Sequence, residues 1–519
     1  MGALKSVLSV SSLTLLSRIS GLLRDVVIFS AFGIGELNSA FLLAFGVPNL
    51  FRRLLGEGAL TSALVPVFAD EYHGKGKEEA FLLLDRVTSR LMVALFFIVS
   101  GGILFCGLAL WSGWLNFRWQ LCFTLSAILL PYMFFICLGA LFAAVLNVFG
   151  KFLLHASNGI WLNLTMIITF FAGHFVQENW RIYFLCGGVI AGGIIQMLSL
   201  WWGLVRLGWK FHFNLGKDER VAEIQRLFFP GMAGAAAIQM NTVLSRTLAY
   251  FVNDSAVAIL YLTNRLIELP LGLFVTAITT VIFPRLSSLE ATHEKFLLRE
   301  EFQRGLLWTL VIVFPAMVGL LSLDRTILEL LFRWGNFTER DMGLVLPVLR
   351  VCLLSLPFYA LSTYLIRGYH CKKDTRKPMV ISLIHFATNT ILTLSFMFWL
   401  ESIGIAFANL FSVIIQAILL SIGLGRFEEF RFKIWTKRFQ DVLFASVLMG
   451  TIVWLSDSLF GQYFSGKMRD AVSLIVNIPL GVLLYLGMLH FFGKKDNFHD
   501  LVTIWKRWIA KKRKSKEIW

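Results

Sequence analysis

Apolar runs long enough to cross a bilayer recur along the whole chain, and they leave it very few folds to choose from. They cover residues 7–33, 38–70, 87–110, 121–148, 153–174, 182–205, 222–251, 255–284, 305–322, 342–370, 378–398, 403–425, 439–457 and 471–492. A spanning helix needs roughly 20 mostly apolar residues, and inside a membrane only helices and closed barrels satisfy their own backbone groups. About fourteen helices of that length use about 280 residues. The remainder of the 519 makes short loops and leaves little space for a separate soluble enzyme domain. Composition agrees, with 57% hydrophobic and 15% charged residues, where a soluble domain has a more charged surface. The expected fold is an all-α polytopic membrane protein of about 14 transmembrane helices.

The net charge is +16. On a soluble protein that excess points to nucleic acid. Here the basic residues lie mostly between apolar runs, where they set membrane orientation, and no nucleic acid partner is expected. With the N-terminus in the cytoplasm, the inside loops and C-terminal tail carry 30 Lys and Arg against 7 in the outside loops, and 21 against 7 without the tail. Both termini inside, with an even helix number, satisfies the positive-inside rule. The densest inside stretches are Lys372 to Lys377, residues 426–438 and the tail from Lys494 to Lys516. That tail either binds anionic headgroups, at about 1 kcal/mol per basic residue, or serves only as a solvated topogenic signal. The first apolar stretch, Val7 to Leu16, runs into Ser17-Arg18 instead of a small-residue cleavage site, so the first helix is expected to be retained.

No catalytic or metal-binding motif emerges. Cys106, Cys122, Cys137, Cys186, Cys352 and Cys371 have neither metal nor redox spacing and read as core residues. The histidines form no pair at ligand spacing, and His370 and His385 read as packed or interfacial side chains. Neither a Walker lysine motif, nor HExxH, nor GxSxG occurs in the sequence. No cofactor is expected. Transport would draw on the membrane potential, a downhill substrate or a monovalent ion, Na+ or H+.

Charges inside the apolar runs are the next constraint, because each costs about 2.5–3.5 kcal/mol at mid-bilayer on insertion scales. The first run contains Ser17-Arg18-Ile19-Ser20-Gly21-Leu22-Leu23-Arg24-Asp25, and the second Pro48-Asn49-Leu50-Phe51-Arg52-Arg53-Leu54-Leu55-Gly56-Glu57-Gly58. On a helix Arg18 and Asp25 share a face, and Asn49, Arg52 and Arg53 share another. Arg53 and Glu57 stand four apart, within reach of a pair. Pro48, Gly56 and Gly58 permit a bend or a close helix approach and are candidate hinges. The arginines outnumber the acids, and their donor forks suit phosphate oxygens. Arg18, Arg24, Arg52 and Arg53 are therefore candidates for holding an anionic group in an aqueous cavity. The alternative is that they only pair with Asp25 and Glu57 or snorkel to an interface. In the second half, Asn264-Arg265-Leu266-Ile267-Glu268 brings Arg265 either to the same cavity or into a local pair with Glu268. A faint repeat relates Asn38-Ser39-Ala40 and Val65-Pro66 to Asp254-Ser255-Ala256 and Phe283-Pro284. Two similar halves would place a site between them.

These stretches resemble the MurJ family of lipid II flippases, in the MOP (MATE-like) transporter superfamily. Ser-Arg-x-x-Gly-x-x-Arg-Asp at 17–25 is similar to the family's opening. Pro-Asn-Leu-x-Arg-Arg-x-x-x-Glu-Gly-Ala at 48–59, followed by Val65-Pro66, is the more specific match. Asn-Arg-Leu-x-Glu-Leu-Pro-Leu-Gly-Leu at 264–273 is another. Leu331-Phe332-x-x-Gly335-x-Phe337-Thr338 resembles a family outside-loop motif, and Arg367-Gly368-Tyr369 with Asp374 to Pro378 resembles the junction of helices ten and eleven. Pro131-Tyr132 and Asn147 also fit.

The resemblance implies two pseudo-symmetric lobes, 1–220 and 221–438, around a central cavity. Two extra C-terminal helices over 439–493 would form a groove for a lipid tail, followed by a basic cytoplasmic tail over 494–519. It implies flipping of lipid II, the undecaprenyl-diphosphate-linked peptidoglycan precursor, from the cytoplasmic to the outer leaflet of the inner membrane by alternating access. The family's cavity arginines map onto Arg18, Arg24, Arg52 and Arg265, with Asp25, Asn49, Glu57, Asn264 and Glu268 as charge partners or gating residues. Lipid II and membrane lipids are the expected partners of a monomer, acting alone or with the cell-wall synthesis machinery. The sequence departs from the family at Ser39, where many relatives carry an acid, at Gly46, where many carry a base, and at Asn264, an aspartate in some. Rival readings are a flippase for O-antigen or capsule units, a MATE-like exporter, which needs cavity acids, and a membrane enzyme on undecaprenyl phosphates, which needs clustered Asp and His.

Overall fold

The computed structural model describes residues 2–54, 60–177, 180–431 and 436–492, and among them every regular element is helical. The apolar runs of the sequence fall on these helices. Two compact units form: Met1–Ala258 with Trp334–Thr338, and Ile259–Arg333 with the described residues from Glu339 onward. Among the described residues, eight stretches are long and apolar enough, by length and composition, to cross a membrane. Large side chains such as Phe96, Phe97, Leu104 and Phe105 on one of them are left exposed, as a lipid-facing surface requires.

The first unit contains α1 (Gly2–Phe32), α2 (Glu36–Leu54), α3 (Leu60–Lys75), α4 (Lys77–Trp111), α5 (Phe117–Val148), α6 (Phe152–Ala172), α7 (Arg181–Arg206) and α8 (Glu219–Val252). Asn116 starts α5 by accepting the Trp119 N–H at 3.1 Å, the usual role of a short polar side chain at a helix start. Helix α5 is the core element, with Leu125, Tyr132, Phe142 and Leu146 fully buried against α2, α4 and α7. In a bilayer helix association depends on close packing more than on apolar burial. Here a Cβ on Gly192 of α7 would lie 2.5 Å from Thr165 of α6, and one on Gly193 would lie 2.5 Å from the Tyr132 ring.

Helix α8 is fixed in this unit at both ends. At its start, Asp218 accepts the Arg220 N–H and pairs with Arg86 of α4, while Arg220 Nε lies 3.3 Å from Glu71 Oε2 of α3. Burial acts to raise the Asp218 carboxyl, but the Arg220 N–H and the Arg86 guanidinium outweigh it and hold the group below its ordinary value. At its end, Tyr250 Oη donates to the Arg118 carbonyl at 2.7 Å, and Arg118 Nη2 donates back to the Tyr250 carbonyl at 2.6 Å. Arg118 Nε also lies 2.7 Å from Asp254.

The segment Trp334–Thr338 belongs to this first unit although both its chain neighbours belong to the second. Asn336 donates from its backbone to Ser30 O at 2.7 Å and from Nδ2 to Ala31 O at 2.6 Å. These are carbonyls that the end of α1 leaves without helical partners. Phe337 packs edge-on against Phe29, and Gly335 has φ 55, with the Ser30 carbonyl standing where a Cβ would go.

The second unit contains α9 (Ala256–Pro270) from Ile259 onward, α10 (Thr276–Ala291), α11 (Lys295–Ser322), α12 (Asp324–Phe332), α13 (Glu339–Leu354), α14 (Leu356–Cys371), α15 (Arg376–Leu424), α16 (Lys437–Tyr463) and α17 (Gly466–Phe492). The runs 378–398 and 403–425 join in α15, with the break between them carried by Glu401 at φ 48, ψ −130. Its inner core gathers Phe302, Tyr364, Tyr369, Leu420 and Phe430. Helices α16 and α17 pack on α11 through Val442, Met449 and Tyr485. Asp457 ties them to α12: it accepts the Thr326 hydroxyl at 2.9 Å and Arg469 Nη2 at 3.1 Å, and it also accepts the Ser473 hydroxyl.

Candidate functional site

Helix α1 carries Arg18, Arg24 and Asp25 inside its apolar run, and the two buried ones, Arg24 and Asp25, are held by one network. Neighbouring helical residues point about 100° apart, yet the long Arg24 side chain bends back. Its Nε and Nη2 lie 3.0 and 2.6 Å from the same Asp25 oxygen. Its Nη1 donates to Asn163 Oδ1 of α6 at 3.0 Å. Asn163 in turn donates to the Ser17 carbonyl at 3.1 Å and to the Ser20 hydroxyl at 2.9 Å. Gly159, one turn before Asn163, makes room: a Cβ there would collide with the Ser17 hydroxyl. A buried ion is tolerated only when paired and hydrogen-bonded, and this network supplies both.

Helix α2 brings the second set. Pro48 removes the N–H that would bond Ala44. Asn49 Nδ2 donates to the Phe45 carbonyl at 3.1 Å, and Arg52 Nε reaches Asn49 Oδ1 at 3.4 Å. Between the two helices stands Tyr132 of α5. It is fully buried, its ring lies 5.9 Å from that of Phe45, and its hydroxyl is within electrostatic range of both Arg24 and Arg52. Among the described residues that hydroxyl makes no hydrogen bond. Arg18 lies on the exposed face of α1 and Arg53 is half-buried on α2; neither makes an ion pair or side-chain hydrogen bond among the described residues.

The sequence expectations divide accordingly. Arg24, paired with Asp25, and Arg52, beside Asn49, both lie within electrostatic range of the Tyr132 hydroxyl. Arg18 does not reach Asp25, whose ion-pair partner is Arg24. Gly56, Glu57 and Gly58 lie outside the described residues, as does the basic tail. In the second unit Arg265 is half-buried with Nη1 3.9 Å from Glu268 Oε2, a long contact, and both Asn264 and Glu268 are exposed. One turn beyond, Pro270 leads into a π-helical turn over Leu271–Val275, a local widening often found at functional positions. Ser39 is fully buried at the start of α2.

Three residues escaped the sequence reading of the site. Asn163 is a lone amide in the apolar run Trp161-Leu162-Asn163-Leu164, and the insertion-cost argument extended to amides would have found it. Arg246 is a charge within an apolar run of α8 and met the same criterion. Tyr132 gave no signal beyond its place in a family motif, because a tyrosine costs little in a membrane. On the second unit, α16 and α17 form an open apolar depression of about 380 Å³ lined by Leu448, Leu480, Leu483, Leu484, Met488 and Phe491.

Long apolar helices that carry guanidinium groups in their interior mark a multi-pass membrane protein. Its fold is that of the MOP superfamily: a multidrug resistance MATE family transporter in an inward-facing conformation superposes with a TM-score of 0.63 at 14% identity, covering 81% of this chain and 98% of that one. Within that class the chain belongs to the lipid II flippase MurJ family, whose model matches residues 28–472. The probable lipid II flippases MurJ of Vibrio cholerae serotype O1 and Haemophilus influenzae are each 31% identical to it, over 94% and 95% of this chain and 96% and 100% of theirs. A lipid II flippase MurJ solved in an inward closed conformation matches with a TM-score of 0.79 at 27% identity, over 95% of this chain and 99% of that one. The chain is thus a multi-pass protein of the cytoplasmic membrane.

Proposed function

We propose that this protein flips lipid II from the cytoplasmic to the outer leaflet by alternating access, with no bond made or broken. The observation that carries the reading is the excess of guanidinium groups on α1 and α2: Arg18, Arg24, Arg52 and Arg53 against Asp25 and, at the start of α2, Glu36. A diphosphate supplies the missing negative charge, and guanidinium forks match its oxygens. Both termini face the cytoplasm, as the basic loops favour. Two lobes, one built on the first compact unit with α8 and one on the second, rock about the headgroup with Pro48 as a hinge, and Arg265 joins the site from the second lobe. The apolar depression of α16 and α17 accepts part of the polyprenyl chain. The membrane potential, negative inside, favours outward movement of an anion by about 2.3 kcal/mol per charge per 100 mV, and a monovalent ion gradient is the alternative source of energy. The protein acts as a monomer.

The test is to deplete the resident lipid II flippase of a rod-shaped bacterium, express this chain and measure surface-exposed lipid II with a periplasmic probe. Restored exposure is the expected result. Full-length protein in the membrane without restored exposure contradicts the reading and favours another lipid-linked glycan.

A further inference from the structure

Gly46 and Arg246 occupy one space. Both belong to the first unit, and a Cβ built on Gly46 of α2 would lie 3.2 Å from Arg246 Nη1 of α8. That is tighter than an ordinary contact, so a long side chain at 46 and the guanidinium from 246 compete for the same position. The placement is fixed by the rest of α8. Arg246 stands one helical turn before Tyr250, which is fully buried and exchanges reciprocal hydrogen bonds with Arg118. The far end of the helix is held by Arg86 and Glu71. The rotation of α8 that points Arg246 at α2 is thus set by contacts in which Arg246 takes no part.

The position that Arg246 reaches belongs to the arginine-bearing face of α2. Gly46, Asn49 and Arg53 follow one another at i, i+3 and i+7. Gly46 lies about 10 Å along the axis from Arg53. By the same helical rise Arg246 is about 9 Å from the Val252 end of α8, and Arg24 is about 12 Å from the Phe32 end of α1. In the orientation proposed above both ends face outward, so Arg246 and Arg24 stand at similar depth on the outer half of the headgroup path. Arg52, about 24 Å from the Glu36 end of α2, stands deeper.

We propose that Arg246 is a diphosphate-binding residue, delivering from α8 the cation for which Gly46 of α2 leaves room. The inference rests on the lipid-linked diphosphate reading. The position of the charge is kept while the helix that bears it changes, so the departure at Gly46 moves a cation and does not remove one.

The experiment measures binding of undecaprenyl diphosphate to purified full-length protein by native mass spectrometry, together with surface exposure of lipid II in the depleted host. Arg246→Ala should weaken diphosphate binding roughly tenfold or more, as expected for a lost hydrogen bond to a charged group. Arg246→Lys should retain part of it. Gly46→Lys combined with Arg246→Ala should recover binding, because it returns a cation to the same space from the other helix. If Arg246→Ala does not fold, Arg246→Gln set against Arg246→Lys at matched melting temperature decides between charge and packing. Equal binding by the Gln and Lys variants, or an Arg246→Ala protein that binds and flips like wild type, overturns the proposal. Failure of the wild-type chain to flip lipid II while it still binds the diphosphate would instead count against the function and leave Arg246 tested by binding alone.

Discussion

Arg24 and Asp25 are sequence neighbours that close an ion pair inside α1, with two guanidinium nitrogens on a single carboxylate oxygen at 3.0 and 2.6 Å. The pair keeps Arg24 in the apolar first unit, and Asn163 orients it by taking a third donor. Its arrangement leads to a prediction that separates structure from transport. Arg24→Ala leaves Asp25 buried without its cation and should destabilise the protein by about 3–5 kcal/mol. Removing both charges, with Arg24→Ala and Asp25→Ala together, should recover most of that loss without recovering flipping. Thermal unfolding in detergent and complementation of a flippase-depleted host measure the two. A double variant that flips would exclude Arg24 from the headgroup site.

The segment Trp334–Thr338 reaches the end of α1 only because position 335 has no side chain. With φ 55 and the Ser30 carbonyl where a Cβ would stand, Gly335→Ala should cost roughly 1–3 kcal/mol through backbone strain alone, and more through the collision. Hydrogen exchange should rise at Asn336 and at the last turn of α1. Unchanged protection there would contradict the described contact.

Much of this was legible in the sequence, for a physical reason. Hydropathy reports the bilayer directly, so the apolar runs fall on helices, and the cost of intramembrane charge singled out Arg24, Asp25, Asn49 and Arg52. What periodicity could not give was pairing. Arg18 and Asp25 share a helical face by spacing, yet Asp25 pairs with its own neighbour because an arginine side chain is long enough to bend across that 100° step. Arg246 and Asn163 act across helices separated by more than a hundred residues. Which helix lies beside which depends on close packing at positions such as Gly159 and Gly193, and no linear motif encodes that.

The depression formed by α16 and α17 gives a prediction about the lipid tail. Gly487 borders it and has open space where a Cβ would stand. Gly487→Trp should fill the depression and weaken binding of a long polyprenyl diphosphate by roughly tenfold, about 1.4 kcal/mol. Binding of a short-chain isoprenyl diphosphate should not change. Equal weakening of both lipids, or of neither, would remove the depression from the tail path.

The proposed binding of the lipid II diphosphate by unbalanced arginines in the first unit stands or falls with Arg52. Arg52 lies half-buried beside Asn49 and within electrostatic range of the buried Tyr132. The measurement is surface-exposed lipid II in a flippase-depleted rod-shaped bacterium expressing either the wild-type chain or Arg52→Ala, with membrane levels matched by blot. The account predicts restored exposure with wild type and roughly a tenth of it or less with Arg52→Ala, the loss expected for a charge-assisted contact. Wild-type exposure with both proteins would contradict it.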